Sequence, residues 1–342
     1  MASILLKFHM QPFTTTNLST EFLQNNILFS SLSSPKIHHR SLDTRVSFFP
    51  FHDDRFHRPK IPSLSIHSSL SSSTPPASKE EAILQAKTCL SATLEKPLNN
   101  PKLAGKLKKL KQPRFQVEIP VIDDSPTSLS QLALDVFGEL PIKRKGFRIK
   151  ILILWPSPTL KNIAVEAFQS HSSNNVEHFD ISSVINGENR FLGSTEIAVF
   201  LAPESSQLAA IKTITDSLYP KPVVIFNPRW GFEEESDFGD LSGFAGSFEV
   251  IYSFVGLEVR GVLSKRRGVV FKCVRDGVVS GERWTVLVEE EGELKVVSRF
   301  KTRPSIGEVE NVLYNLMAIN SPITKSAKFL KDLVSNVTGR KN

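Results

Sequence analysis

Three short apolar runs dominate the middle of the chain. They cover residues 148–155 (Arg-Ile-Lys-Ile-Leu-Ile-Leu-Trp), 196–202 and 222–226. Near-continuous apolar runs of this length are what strands covered on both faces require. Amphipathic stretches separate them. Residues 159–170 and 205–218 have helical spacing, the second with Leu208, Ile211, Ile214 and Leu218 on one side; residues 176–180 read as a further short strand. This alternation predicts right-handed crossovers and an α/β fold, with a Rossmann-like parallel sheet flanked by helices.

The pattern differs on either side. A helix is predicted to start at Ser78, where Ser78 and Glu81 have capping-box spacing, and to bury Ile83, Ala86, Leu90 and Leu94 before Pro97 and Pro101 interrupt it. A second short helix fits 102–111. Residues 115–119 alternate Phe115, Val117 and Ile119 against Gln116 and Glu118, as a strand does, and 128–140 is helical in period. Residues 229–247 are acidic and glycine-containing, and predict a polar loop. From 248 to 300 the chain is strand-rich, with five strands at 248–255, 257–263, 269–275, 283–289 and 294–300. Short turns at Gly256, Arg266-Arg267-Gly268, Asp276-Gly277 and Glu291-Gly292 separate them, predicting an antiparallel β meander. A C-terminal helix at 305–319 follows, with Ser305 and Glu308 at capping-box spacing, and then a helical tail at 325–337. The predicted organisation is a leader at 1–70, a Ser/Pro linker at 71–78, one domain at 79–320 (parallel part 115–228, antiparallel part 248–300) and a tail at 321–342.

The leader is set apart by composition. Residues 1–70 hold four carboxylates (Glu21, Asp43, Asp53, Asp54) against seven Lys and Arg, in a Ser-, Thr-, Phe- and Pro-rich background without period. That is the composition of an organelle transit peptide, here of chloroplast type, so the expected location is the stroma or the thylakoid surface. The whole chain carries 42 basic and 35 acidic residues, a net charge of +7; without the leader's seven and four, +4 remains. A balance so even argues against a nucleic-acid partner. Two cysteines, Cys89 and Cys273, exclude a disulfide scaffold and a thiolate zinc site. They read as buried thiols, with one bridge between them as the other reading. No apolar run is long enough to span a bilayer.

Candidate chemistry is sparse. Ser157, in Trp155-Pro156-Ser157-Pro158, follows a parallel strand, where open α/β sheets bind ligands; Ser157 is also a good N-cap and Pro158 a good first helical residue. Asn227-Pro228-Arg229-Trp230 follows the strand at 222–226. There Arg229 can clamp a carboxylate or phosphate and Trp230 can stack on a ring, or the segment is a structural turn with Arg229 paired to Glu233. The acidic run Glu233, Glu234, Glu235, Asp237 and Asp240 matches no calcium loop. Lys102, Lys106, Lys108, Lys109 and Lys111 surround a short helix and can face an anionic membrane or partner. His171 and His178 have no triad partner nearby. No catalytic set, metal set or cofactor motif is predicted.

Several short motifs together resemble a known family. They are Arg114-Phe115-Gln116-Val117-Glu118-Ile119-Pro120, Trp155-Pro156, Asn227-Pro228-x-Trp230, Val250-Ile251-Tyr252-Ser253-Phe254 and Trp284. The chain resembles a plant and cyanobacterial family of domains of unknown function, numbered nineteen ninety-five, over residues 80–320. The resemblance implies a plastid protein with no established catalytic residues. One chloroplast member is tied to photosystem II accumulation, and the domain also occurs behind an adenylate kinase. Two functions are therefore expected as alternatives: a non-enzymatic interaction or assembly factor for photosynthetic complexes that meets thylakoid proteins, or a nucleotide or phosphate-metabolite binder at the strand ends.

Overall fold

One mixed sheet of nine strands runs through the molecule in the order β11-β10-β9-β8-β1-β7-β6-β4-β5. Its strands are β1 (Arg114–Glu118), β4 (Ile151–Trp155), β5 (Val176–Asp180), β6 (Ile197–Leu201), β7 (Val223–Phe226), β8 (Glu249–Arg260), β9 (Lys265–Cys273), β10 (Trp284–Glu290) and β11 (Glu293–Phe300). A separate two-stranded ribbon, β2 (Lys143–Arg144) and β3 (Phe147–Arg148), lies beside it. The computed structural model describes residues 74–99, 111–120, 125–144, 146–169, 175–187, 190–230, 237–260 and 265–320. The leader, the segment 102–110, Glu233 to Glu235, His171 and the tail at 325–337 lie outside them.

The pairing from β8 through β1, β7, β6 and β4 to β5 is parallel, and from β8 to β11 it is antiparallel. The predicted parallel sheet and meander are thus two halves of one sheet, joined by β1. The three apolar runs occupy neighbouring strands, and all their residues in β4, β6 and β7 are buried.

Helices cover both faces. On the first lie α1 (Lys79–Asn99), α2 (Pro126–Phe137) and α3 (Pro158–Gln169), whose Ala86, Leu90, Leu132, Phe137 and Phe168 share a core with Val117, Ile153 and Phe271. On the second, α4 (Ile181–Ile185), α5 (Leu208–Ser217) and α6 (Ser242–Ala245) cover the parallel half. There α7 (Ile306–Asn320) covers the antiparallel half with Ile306, Val309 and Leu313. Burying apolar surface on this scale is the main term favouring the fold.

Local signals behave largely as their chemistry demands. Ser78 Oγ accepts from Glu81 N at 3.2 Å, while Glu81 returns a bond to Ala77 N rather than to Ser78 N. Ser305 and Glu308 form the full reciprocal box. Other boundaries move. Helix α1 continues through Pro97, because burial of Leu98 holds the last turn. Helix α2 begins at Pro126, two residues earlier than its apolar period, because Ser125 caps it. The run at 148–155 is divided between β3 and β4. Gly256 makes no turn: β8 passes straight through it, opposite Val269. Arg266, Arg267 and Gly268 also lie within a strand, where Arg267 reaches Glu258 and Glu289, and Arg266 reaches Glu290.

The two cysteines meet across the first face. Cys89 of α1 and Cys273 of β9 are both almost fully buried, with their Sγ atoms 3.4 Å apart. The hydrogen bond that the Cys89 thiol gives to Cys273, with burial, pushes the Cys89 thiol up, and the same bond pulls Cys273 down. Because burial keeps the reagent out, both thiols are expected to resist iodoacetamide at mildly alkaline pH in the native protein and to react in urea. Mass spectrometry after each treatment checks this, and rapid labelling of the native protein would show the face to be open.

Candidate functional site

Ser157 and Arg229 do come to one edge of the sheet, the carboxyl edge of β4 and β7. Ser157 is used within the fold there, while the Arg229 guanidinium stays at the surface. Ser157 caps α3, its Oγ accepting from Leu160 N at 3.4 Å. Gln207 bridges α5 to the same turn by donating to Pro156 O. Arg229 donates its backbone N–H to Pro203 O and extends its guanidinium to Glu204 at 3.9 Å; Glu233, the partner expected from sequence, lies outside the described residues. Trp230 is buried against Phe238 in the core of the second face. Asn227 sits at φ 48, a left-handed conformation that Asn tolerates. Its buried amide donates to Ile119 O and accepts from Ile119 N, at 2.9 and 2.7 Å. It continues the β1–β7 ladder with a side chain, a structural use.

A polar cluster that the sequence reading did not assemble lies elsewhere. On β1, Phe115, Val117 and Ile119 face the first core, so Gln116 and Glu118 face the second side. The two helical covers of that side leave a furrow between them over β1 and β8. Glu118 is only 3% exposed there. Its Oε1 accepts from Gln116 Nε2 at 2.8 Å and from Arg303 Nη2 at 2.6 Å; its Oε2 accepts from Ser253 Oγ at 2.5 Å. A buried carboxylate survives only when so paired and bonded.

Beside this cluster stand Lys272 of β9 and Trp284 of β10. The Trp284 ring has the Lys272 ammonium 5.4 Å and the Arg303 guanidinium 5.5 Å from its centroid. Lys272 is 8% exposed, and burial pulls its ammonium below the usual lysine range. Among the described residues no carboxylate lies within ion-pair distance of it; Glu249 and Glu282 act on it from farther away. A cavity of about 950 Å³ opens onto these groups, with Phe115, Phe248, Val250 and Val279 as apolar wall. One side is set by Gly277 at φ +70, where a Cβ would meet Ala92 O at 2.4 Å, so the β9–β10 turn packs directly on α1.

A second cavity, of about 730 Å³, lies at the amino edge of the parallel strands and adjoins the first at Lys96, Pro97 and Pro113. It is lined by six Lys or Arg and one carboxylate, Glu196. Arg144 holds Glu196 at 3.0 Å, and Lys221 donates to Leu192 O and Gly193 O. That leaves Lys96, Lys111, Arg148 and Lys150 exposed around Phe147, itself 79% exposed. Of the lysines expected to form a basic surface, Lys111 is at this rim; Lys102, Lys106, Lys108 and Lys109 lie outside the described residues.

Among the described residues there is no cluster of three or more His, Cys, Asp or Glu able to hold a metal, and no helix is long and apolar enough to cross a membrane. His178 is engaged within the fold: its Nδ1 accepts from Trp155 Nε1 at 3.1 Å and its ring packs on Phe168.

The sequence signals for the furrow were the alternation on β1 and Ser253 and Trp284 on two later strands. Only pairing brings them together. A search among curated proteins gives no match. The model of a family described as a domain of unknown function, DUF1995, matches residues 76–311, a span that contains every member of the Glu118 cluster. The match covers well over half of the sequence, and the chain belongs to the DUF1995 family.

Proposed function

We propose that this protein is a non-enzymatic docking factor of the chloroplast that uses the amino edge of its sheet to hold an acidic segment of a thylakoid protein during assembly of a photosynthetic complex. One observation carries the docking: among the described residues, four exposed cations ring a concave cavity and an exposed Phe147, and the one lining carboxylate is already paired. Electrostatic complementarity steers such a partner, and an exposed aromatic in a basic rim supplies the anchor. A concave surface suits a protein segment better than a flat bilayer. The plastid address rests on the acid-poor leader, and the assembly role on the resemblance set out above. The carboxyl-edge reading, a nucleotide or phosphate site at Ser157 and Arg229, has less support, since Ser157 caps α3, Arg229 faces the carboxylate of Glu204, and Trp230 is buried in the core.

Binding of the purified protein to isolated thylakoids tests this. Retention is expected to fall steeply with salt, and to drop about tenfold when Phe147→Ser, Arg148→Glu and Lys150→Glu are combined. Equal binding to protein-free vesicles of anionic thylakoid lipid would replace the protein partner by the membrane surface. Retention unaffected by the triple variant would overturn the docking face.

A further inference from the structure

We infer that the furrow over β1 and β8 binds a small monocarboxylate carried on an aromatic or apolar body, with Lys272 as the group that takes the carboxylate. The inference does not rest on the docking face, whose cavity adjoins this one at Lys96, Pro97 and Pro113.

Charge balance comes first. In the depth of the furrow Lys272 and Arg303 contribute two positive charges, and Glu118 behind Arg303 one negative; at the exposed rim stand Lys96, Lys301 and Glu249. Arg303 spends its Nη2 on Glu118, whose oxygens are also engaged by Gln116 and Ser253. Glu118 therefore positions Arg303, while Lys272 remains over. A lysine more than nine-tenths buried without an ion partner among the described residues is costly. The fold keeps it beside an open cavity of about 950 Å³ instead of replacing it with an apolar residue. One uncompensated positive charge matches one carboxylate. A phosphate has no apolar body to cover the walls, and the site offers no glycine-rich loop to receive it.

Shape comes second. The walls are Phe115, Phe248, Val250, Val279 and Trp284, so an apolar body gains contact where the anion gains charge. Trp284, held beside both cations, fixes the boundary between the apolar wall and the charged end.

Benzoate is the probe, benzamide its neutral counterpart and inorganic phosphate the dianion without an apolar body. Titration of the full-length protein is followed by calorimetry and by melting temperature. Benzoate at about 10 mM is expected to raise the melting temperature, benzamide and phosphate to leave it unchanged. Lys272→Met is expected to weaken benzoate by about tenfold or more, Lys272→Arg to retain most of the affinity, and Lys212→Met on α5 to change nothing. Lys272→Met is also expected to raise the urea midpoint, because it removes an uncompensated buried charge. No benzoate binding, equal binding of benzamide or phosphate, or undiminished binding by Lys272→Met overturns the inference. So does failure of Lys272→Met to fold, which would show that the fold already compensates Lys272.

Discussion

Glu118→Leu is expected to cost the protein about 3–5 kcal/mol of stability, a large part of what a domain normally has. The change strands three donors at once. Arg303 loses the carboxylate 2.6 Å from its Nη2, and Gln116 and Ser253 lose their buried acceptor. Arg303→Met should cost a comparable amount, because Glu118 then keeps a buried charge without its cation. The double variant should recover much of the loss, since replacing both partners of a buried pair by apolar groups is often close to neutral. Glu118→Gln, which keeps an acceptor for Arg303, should fall between wild type and Glu118→Leu. Urea unfolding of the four variants forms a double-mutant cycle with an added conservative variant. Strictly additive single losses would show that the Glu118–Arg303 contact carries no coupling and that the cluster does not act as a unit.

Stability is expected to fall as the solution is acidified from pH 6.5 toward pH 4, and His178 to account for most of the fall in that window. Burial against Trp155 and Phe168 lowers its imidazole to about 4, from an ordinary value near 6.5. The neutral ring accepts from Trp155 Nε1, and its Nε2 is buried without a partner among the described residues. Below pH 6.5 the unfolded chain takes up a proton at this position while the folded chain does not until about pH 4. Each pH unit in that window therefore favours unfolding by about 1.4 kcal/mol, for a total of about 3 kcal/mol, reduced by whatever water reaches the ring. Above pH 6.5 the contribution is complete and flat. His178→Asn keeps an acceptor for Trp155 and cannot titrate there. Its urea midpoint, starting lower from lost ring contacts, should change much less between pH 6.5 and 4.5. Parallel profiles for the two proteins would remove His178 as the cause. The depressed carboxyl of Asp180, held by its own N-cap bonds to Ser183 and by Lys161, acts only at lower pH, below the ordinary carboxylate range.

The candidate sites divide along the same physical line. Ser157 and Arg229 were visible because turns after strands announce themselves through Ser-Pro and Asn-Pro, and those residue types point equally to caps and turns. In the folded protein the turn chemistry prevails: the nearest unsatisfied groups are backbone amides and a neighbouring carboxylate, and they claim the side chains first. Glu118 was visible only as the polar half of an alternation. Alternation says that a strand has two faces and is silent on what covers each. Lys272 gives no sequence signal, since a lysine between two apolar residues is as easily solvated as buried.

The sequence by itself determined which segments are strands and helices, wherever a local rule sets the answer. Continuous apolar runs made buried parallel strands, and Ser-x-x-Glu spacing made helix starts. It misjudged Gly256 and Arg266-Arg267-Gly268, where turn-forming residues stay extended because neighbouring strands and the carboxylates Glu258, Glu289 and Glu290 hold them. Only the tertiary structure decided that β1 joins the two halves of one sheet, that Cys89 meets Cys273, and that Glu118, Ser253, Lys272, Trp284 and Arg303 share a furrow. Strand order and long-range pairing set those contacts, over separations of up to 185 positions, and no local preference of the chain encodes a neighbour that far away.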